Sequence, residues 1–429
     1  GQFIEAHILM TLVDFFGDVP YTEAFQGAAN LNPVADSGAS VYAVALGLLD
    51  SAIANFNSDA LGEPRWTSTV TDPFYDGDWT AWTKAANTLK MNAYMNTRNV
   101  DGSSVANFNA IVASGNYIAT TADDMQFKWG TLAVQPDSRH PRYRSNYTST
   151  GGGSYMSNSL MDYMRAGPNG GYSIGAGEFY ADPRIMFYYH RQTNPTPGID
   201  GDANEEVLEC GLQNAPAHYA GYVFCANPQG WWGRDHGNDN GIPPDGFTRT
   251  LHGVYPAGGK FDDRSFKGQV NGGGEGGRGV TPIMLSSWMD FMNAYMNPSE
   301  MRASTLAGVK KSIEKADSLG GTPLVAADVE AYVALVAADY DAASSAGKAE
   351  LWAKEYWISM FGNGIDAYNT YRKTGLPSTL QQNIEPNPGA FPLVMYYPDN
   401  YASTNANVTQ RTDLTERVFW NASGPSNLK

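Results

Sequence analysis

The chain reads as mainly α, with packed helix pairs holding a long, irregular, loop-rich region that would do the binding. Three observations predict this. Apolar residues recur with the 3.6-residue helical rhythm toward both ends of the chain. That rhythm disappears between about residues 120 and 280. Turn sequences crowd into the same interval: Pro168-Asn169-Gly170-Gly171, Asn240-Gly241, Pro244-Asp245-Gly246 and Asn271-Gly272-Gly273-Gly274. Loops that long are uncommon unless they carry function, so the helices read as scaffold and the middle as working surface.

The elements follow in order. Phe3, Ile4, Ile8, Leu12 and Phe15 form a helical stripe with no capping box in front. Val41, Ala45, Leu48, Leu49, Ala52, Ile53 and Phe56 form a second, with Asp36, Ser37 and Ser40 as caps. Trp82, Ala86, Leu89 and Ala93 mark a third helix, and 107–114 a short fourth. Beyond the middle, stripes return at Leu285, Trp288, Met289, Met292 and Met296, then at Met301, Leu306, Val309 and Ile313. Val329, Val333 and Val336 give another, and 346–361 the last. Similar helix lengths and short connections suggest stacked helix–turn–helix units, although the strict tetratricopeptide consensus is missing. The organisation expected is scaffold over 1–118, an irregular ligand-binding region over 119–280, further scaffold over 281–376, and a wrapping tail rich in Pro and Asn over 377–429.

Composition narrows the function. Of 429 residues, 42% are hydrophobic and only 17% charged, which supports a sizeable core under a surface polar mainly through neutral groups. The formal charge of −16 disfavours nucleic acids and anionic polymers as ligands. No apolar run reaches the roughly 18 residues of a membrane span. Cys210 and Cys225 could close a local disulfide loop of about 15 residues, or remain free thiols. The chain opens directly on a helix, without signal peptide or lipid-attachment cysteine, and reads as the later part of a longer precursor.

Several motifs, in order, resemble one family. Asp14-Phe15-Phe16-Gly17-Asp18-Val19-Pro20-Tyr21 is similar to a signature of the SusD/RagB-like nutrient-binding lipoproteins of Bacteroidetes. Asp72-Pro73-Phe74-Tyr75-Asp76-Gly77-Asp78 with Trp82 to Lys90, Gly153 to Asn158, Asp182-Pro183-Arg184, and Phe361 to Tyr368 with Arg372 and Gly375-Leu376-Pro377 resemble further landmarks. The resemblance implies a tetratricopeptide-like scaffold, an outer-membrane lipoprotein facing outward, and a SusC-like TonB-dependent transporter as partner. It implies membrane attachment only through a lipid anchor that this chain does not contain. The stretch 286–294 departs from the family's usual helix there.

Sugars present C–H faces that stack on flat rings and hydroxyls that pair with amides, carboxylates and guanidinium groups. Trp82, Trp288, Trp352 and Trp357 fall on helical stripes and read as core; Trp420 packs in the tail, and Trp79 is open. Trp231 and Trp232 stand between glycines in a polar loop, with Arg234, Asp235, Asn238 and Asp239 following. They read as a sugar platform with its hydrogen-bonding groups; the alternative is that one indole anchors the loop. Trp66 and Trp129 are weaker ligand-binding candidates, and Arg184 reads as structural. Asp235, Asp239, Asp245, Asp262 and Asp263 could gather around calcium, but no motif supports it and a solvated acidic surface explains them as well. No other cofactor is implied.

The function expected is non-enzymatic capture of a neutral glycan, with a β-glucan such as laminarin, or an α-glucan, as first candidates. Capture of peptides or another nutrient by the same architecture is the alternative. A glycoside hydrolase would need two carboxylates about 5–9.5 Å apart, and no catalytic motif marks such a pair.

Overall fold

Helix α1 (Gln2–Phe16) stops at Gly17, whose left-handed φ of 70° lets its amide donate back to Val13. The next residue, Asp18, reaches across to the start of α2 (Gly38–Phe56), where its carboxylate accepts from the Gly38 amide at 2.8 Å. Ser37 caps the same helix by accepting from the Ser40 amide. Asp78 caps α3 (Trp79–Thr97) through the Thr80 and Ala81 amides. Asp72 gathers the amides of Phe74, Tyr75 and Gly77 and the Trp82 indole N–H. Asp18 and Asp72, in the first two of the sequence motifs, thus serve as a helix cap and a turn lock. A short α4 (Ser104–Ser114) completes the N-terminal layer.

The computed structural model describes residues 1–58, 71–166, 182–196, 227–237, 245–266, 272–426 and 428. Within the irregular middle it contains α5 (Pro141–Asn146), α6 (Asn158–Ala166) and α7 (Ile185–Tyr188). These were not expected, because helices of one or two turns are too short to build a readable apolar stripe. Strand β1 (Met125–Lys128) pairs with a later strand at residues 280–284, and β2 (Tyr189–His190) pairs antiparallel with β3 (Leu251–His252). That later strand is β4 (Val280–Met284), antiparallel to β1, with Phe127 opposite Thr281 and a register shift between Met125 and Gln126. The chain therefore enters and leaves the middle at one two-stranded ladder.

The scaffold resumes with α8 (Ser286–Met296), α9 (Met301–Asp317), α10 (Ala326–Ala342) and α11 (Ser345–Ser359). It ends with α12 (Gly364–Thr374) and, in the tail, α13 (Asp399–Thr404). Helices α1, α2 and α3 pack in succession, α8 packs on α9, and α9 meets both α10 and α11. The fold is mainly α, as the periodicity predicts.

Three large apolar clusters among the described residues hold it, and Tyr143, Tyr147 and Leu251 form a smaller fourth. Val13, Leu49, Leu89 and the tail residue Trp420 fill the first. Phe108, Trp288, Phe291, Trp352 and Tyr356 fill the second, between α4 and α8–α11. Met161, Phe187, Trp231 and Tyr255 join Ile358 of α11 in the third, which bonds the middle to the scaffold. Each fully buried side chain of this kind contributes about 1.5–3 kcal/mol by leaving water. Trp288, Trp352 and Trp420 are buried as expected, whereas Trp82 and Trp357 are only half-buried.

One expectation needs refining. Helix α2 is long and apolar enough to cross a membrane by length and mean hydropathy, although Asp50 interrupts its apolar run. It packs between α1 and α3, burying Val41, Tyr42, Ala45, Leu49 and Ala52.

Two buried polar networks tie remote segments together. Asp14 accepts from the Tyr42 hydroxyl, the Trp420 indole at 2.9 Å and the Asn369 amide at 2.7 Å, while the Arg372 guanidinium donates to the Asp14 carbonyl. Arg184 donates to Asp182 and Glu355, both at 2.6 Å, and the Tyr332 hydroxyl donates to Glu355 at 2.8 Å. Arg184 is fully buried and structural, as read from the sequence.

Candidate ligand-binding site

The loop that carries Trp231 and Trp232 folds inward. Gly230 has φ 77°, and a Cβ there would sit 1.9 Å from the Thr193 carbonyl oxygen; one on Gly233 would sit 2.2 Å from that of Met156. The two glycines thus let the backbone press against neighbouring strands, and the indoles between them go inside. Trp231 is 0% and Trp232 2% exposed. Trp231 meets Tyr189 edge-on, with the Arg191 guanidinium 4.5 Å from its ring. Trp232 donates its indole N–H to Asp245 at 3.1 Å. The expected exposed platform is not present, and both rings anchor the loop.

The polar groups beside them also turn inward. Arg234 lies 4.2 Å from the Tyr155 ring and donates to its hydroxyl. Asp235 is 4% exposed. Asp245 holds Arg249 and Asp262 holds Arg191, so these two carboxylates already serve cations of the chain rather than a calcium ion. No group of three or more metal-ligating side chains occurs among the described residues. Trp129 donates its indole N–H to Thr281 at 2.9 Å and meets His140 edge-on. Trp66, Asn238, Asp239, Cys210 and Cys225 lie outside the described residues. Trp79, left open by the sequence, is 42% exposed and stacks on Phe56 at 5.7 Å.

What the same loop does border is a cavity of about 280 Å³, through its next residue, His236. Four other segments meet there, one of them the start of α6 with Ser157 and Ser159. Helix α11 supplies Trp357, α12 supplies Tyr368 and Tyr371, and the tail supplies Leu380, Gln381 and Phe391. Local sequence dictates each placement. Asn363 caps α12 by accepting from the Ile365 and Asp366 amides. Gly375, at φ 69°, ends the helix in a left-handed turn and sends the tail back across α11. Glu350 of α11 holds the returning tail, accepting from the Ser378 amide at 3.0 Å and the Thr379 hydroxyl at 3.2 Å. The Ile384 amide donates to the His236 carbonyl at 3.0 Å and closes the ring of segments.

The walls are aromatic and electrically neutral. Trp357 meets Tyr163 edge-on at 5.5 Å, and Tyr371 meets Phe391 edge-on at 5.1 Å. Tyr368 donates its hydroxyl to the Pro392 carbonyl at 2.9 Å. Burial raises the Tyr368 phenol, and raises that of Tyr163 to about 12, so both stay protonated at neutral pH. The lining contains no Asp, Glu, Lys or Arg. Ser157, Ser159, Thr370 and Gln381 supply neutral hydrogen-bonding groups. Such a pocket can stack and pair an uncharged polar ring, and its lining lacks the carboxylate pair that glycoside cleavage requires. Sequence reasoning took Trp357 as core and did not nominate Tyr368, Tyr371, Phe391 or Gln381. The available signal was the run from Phe361 to Pro377, which carries the pocket's floor and the turn that closes it.

Comparison with known proteins agrees with this architecture. Residues 1–207 match the SusD-like family described as starch-binding and associating with the outer membrane. No curated protein sequence matches the chain. Among solved structures, a SusD homologue from Bacteroides fragilis is similar at TM-score 0.65 and 16% identity, over 98% of this chain and 83% of that one. A chitin-binding SusD homologue from Flavobacterium johnsoniae gives 0.65 and 16%, over 99% and 80%. A SusD/RagB family protein from Bacteroides thetaiotaomicron gives 0.62 and 19%, over 99% and 80%.

Proposed function

Because the chain is SusD/RagB-like, by sequence over residues 1–207 and by fold over almost its whole length, we propose that it captures a neutral glycan without cleaving it and passes it to a SusC-like TonB-dependent transporter of the outer membrane. The observation that carries the ligand class is the charge-free aromatic cavity between α11, α12, the tail and His236. A neutral sugar would stack on Trp357 or Tyr371 and pair its hydroxyls with the Ser, Thr and Gln groups beside them. Glucans, β-linked ones first, satisfy that chemistry; so does chitin, which the Flavobacterium relative binds.

Calorimetry with β-glucan and chitin oligosaccharides tests the reading. Losing one stacking ring removes about 0.5–1.5 kcal/mol, so Trp357→Ala should weaken binding up to roughly tenfold. Trp232→Ala, which removes a buried anchor, should act on stability instead. Unchanged affinity in Trp357→Ala and Tyr371→Ala variants of native-like circular dichroism would reject this pocket. A reducing-end assay on the same mixtures should stay flat, and a peptide pull-down should recover nothing.

A further inference from the structure

A second cavity, of about 400 Å³, has the opposite electrical character. The two cavities divide at one peptide bond: Met360 lines the neutral one, while Phe361, Gly362 and Gly364 line the second. Across from them stand His140, Arg142 and His252, with Pro256 and Pro282 as apolar walls. Gly362 keeps the space open. Its φ is 101°, and a Cβ there would approach Pro282 Cγ to 3.1 Å and Pro256 Cγ to 3.4 Å.

The lining contains one formal charge, the exposed Arg142, and no carboxylate. Among the described residues Arg142 makes no ion pair; Arg98, Arg144, Arg372 and Arg417 make none either, whereas Arg139, Arg165, Arg184, Arg191, Arg249, Arg278, Arg302 and Arg411 each make one. The chain's charge of −16 disfavours polyanions over the surface as a whole, but in this lining a guanidinium stands with no carboxylate beside it, which favours a single anionic group locally. The histidines add no charge; His140 spends its ring N–H on the Val280 backbone, and His252 is left as the ring donor. His140 accepts the Arg142 amide on Nδ1 at 3.1 Å, which puts its proton on Nε2. His252 Nδ1 lies 3.3 Å from the Asn146 amide nitrogen, and with that amide donating, its Nε2 is likewise the protonated nitrogen. Burial first, and Arg142 second, keep both rings uncharged at neutral pH.

A guanidinium, the His252 ring N–H and flat apolar walls match one ligand chemistry: a ring with a carboxylate on it. We infer that this cavity is a binding site for a carboxylate-bearing sugar unit, its carboxylate held by Arg142 and its C–H face against Phe361 and the proline walls. The site is separate from the neutral cavity and does not depend on the reading of that cavity.

The test is an NMR titration of the full chain with glucuronate, glucose and glucose 6-sulfate. Read at the His140, His252 and Gly362 signals, which line this cavity and not the neutral one, glucuronate should bind and glucose should be at least tenfold weaker. Arg142→Ala should weaken glucuronate at least tenfold, Arg142→Lys only a few fold, and Trp357→Ala not at all. Because Arg142 is exposed, its replacement should leave the fold intact, checked by an unchanged melting temperature. At those signals, glucuronate binding equally to Arg142→Ala, glucose binding as well as glucuronate, or no glucuronate binding to the unaltered chain would overturn the proposal. Tighter binding of the sulfate than of glucuronate would overturn the carboxylate assignment.

Discussion

Arg184 shows what a single residue can hold. Its guanidinium is buried among Asp182, Glu355, Tyr332 and Ser312, which come from the middle, α11, α10 and α9. Removing one partner of such a buried pair typically costs about 3–5 kcal/mol, because the other charges stay buried without their counterpart. Arg184→Met should therefore lower unfolding stability in urea by that order, and a loss below about 1 kcal/mol would mean that the network relaxes. Sequence made a structural role for Arg184 legible, within the Asp182-Pro183-Arg184 landmark, but not its partners on α9, α10 and α11. It did not make Trp231 and Trp232 legible. Glycines beside an indole permit either exposure or close backbone approach. Thr193, Met156 and Asp245, which decide between them, lie remote from the loop in sequence.

Among elements, the long helices were readable and the short ones were not. Helix α2 announces itself through seven apolar positions and a serine cap. Helix α12 has few apolar positions and is defined by its ends, Asn363 and Gly375. The pocket escaped for a related reason: it exists only because a tail without periodicity lies back over α11. Glu350 pins that tail through two hydrogen bonds. Glu350→Ala should loosen the pocket's outer wall and weaken neutral-glycan binding a few fold, with little change in melting temperature. Calorimetry with the cognate oligosaccharide checks it, and unchanged affinity would show that the remaining tail contacts suffice.

Over the whole molecule, acid should act through buried imidazoles. Burial lowers His140 to about 4 and His252 to about 3, with Arg142 adding to both. In the unfolded chain both titrate near 6.5. Between those values the unfolded state binds more protons than the native state, so the stability these groups contribute is complete above about pH 6.5 and is lost as pH falls toward 3. Burial raises Asp14 and Glu355, which works in the opposite sense. Comparing variants therefore isolates the histidines. From pH 7 to pH 4.5, His252→Asn should lose less unfolding free energy than the unaltered chain. Parallel losses would mean that His252 is not buried uncharged.

The ladder of β1 and β4 has a consequence for how such a chain can change. The described part of the segment from Trp129 to Gly279 leaves and rejoins the scaffold through one doorway, whose two sides are a single pair of hydrogen-bonded strands. Lengthening a loop whose ends are already joined costs little, about 0.6 kcal/mol per doubling. The segment behind the doorway can therefore be rewritten, extended or exchanged like a cassette, provided that its inner face still fits Ile358 and Ala316 on the helices and keeps the Arg184 pair with Glu355. Diversity in what is grasped can accumulate there while the frame that presents it stays the same.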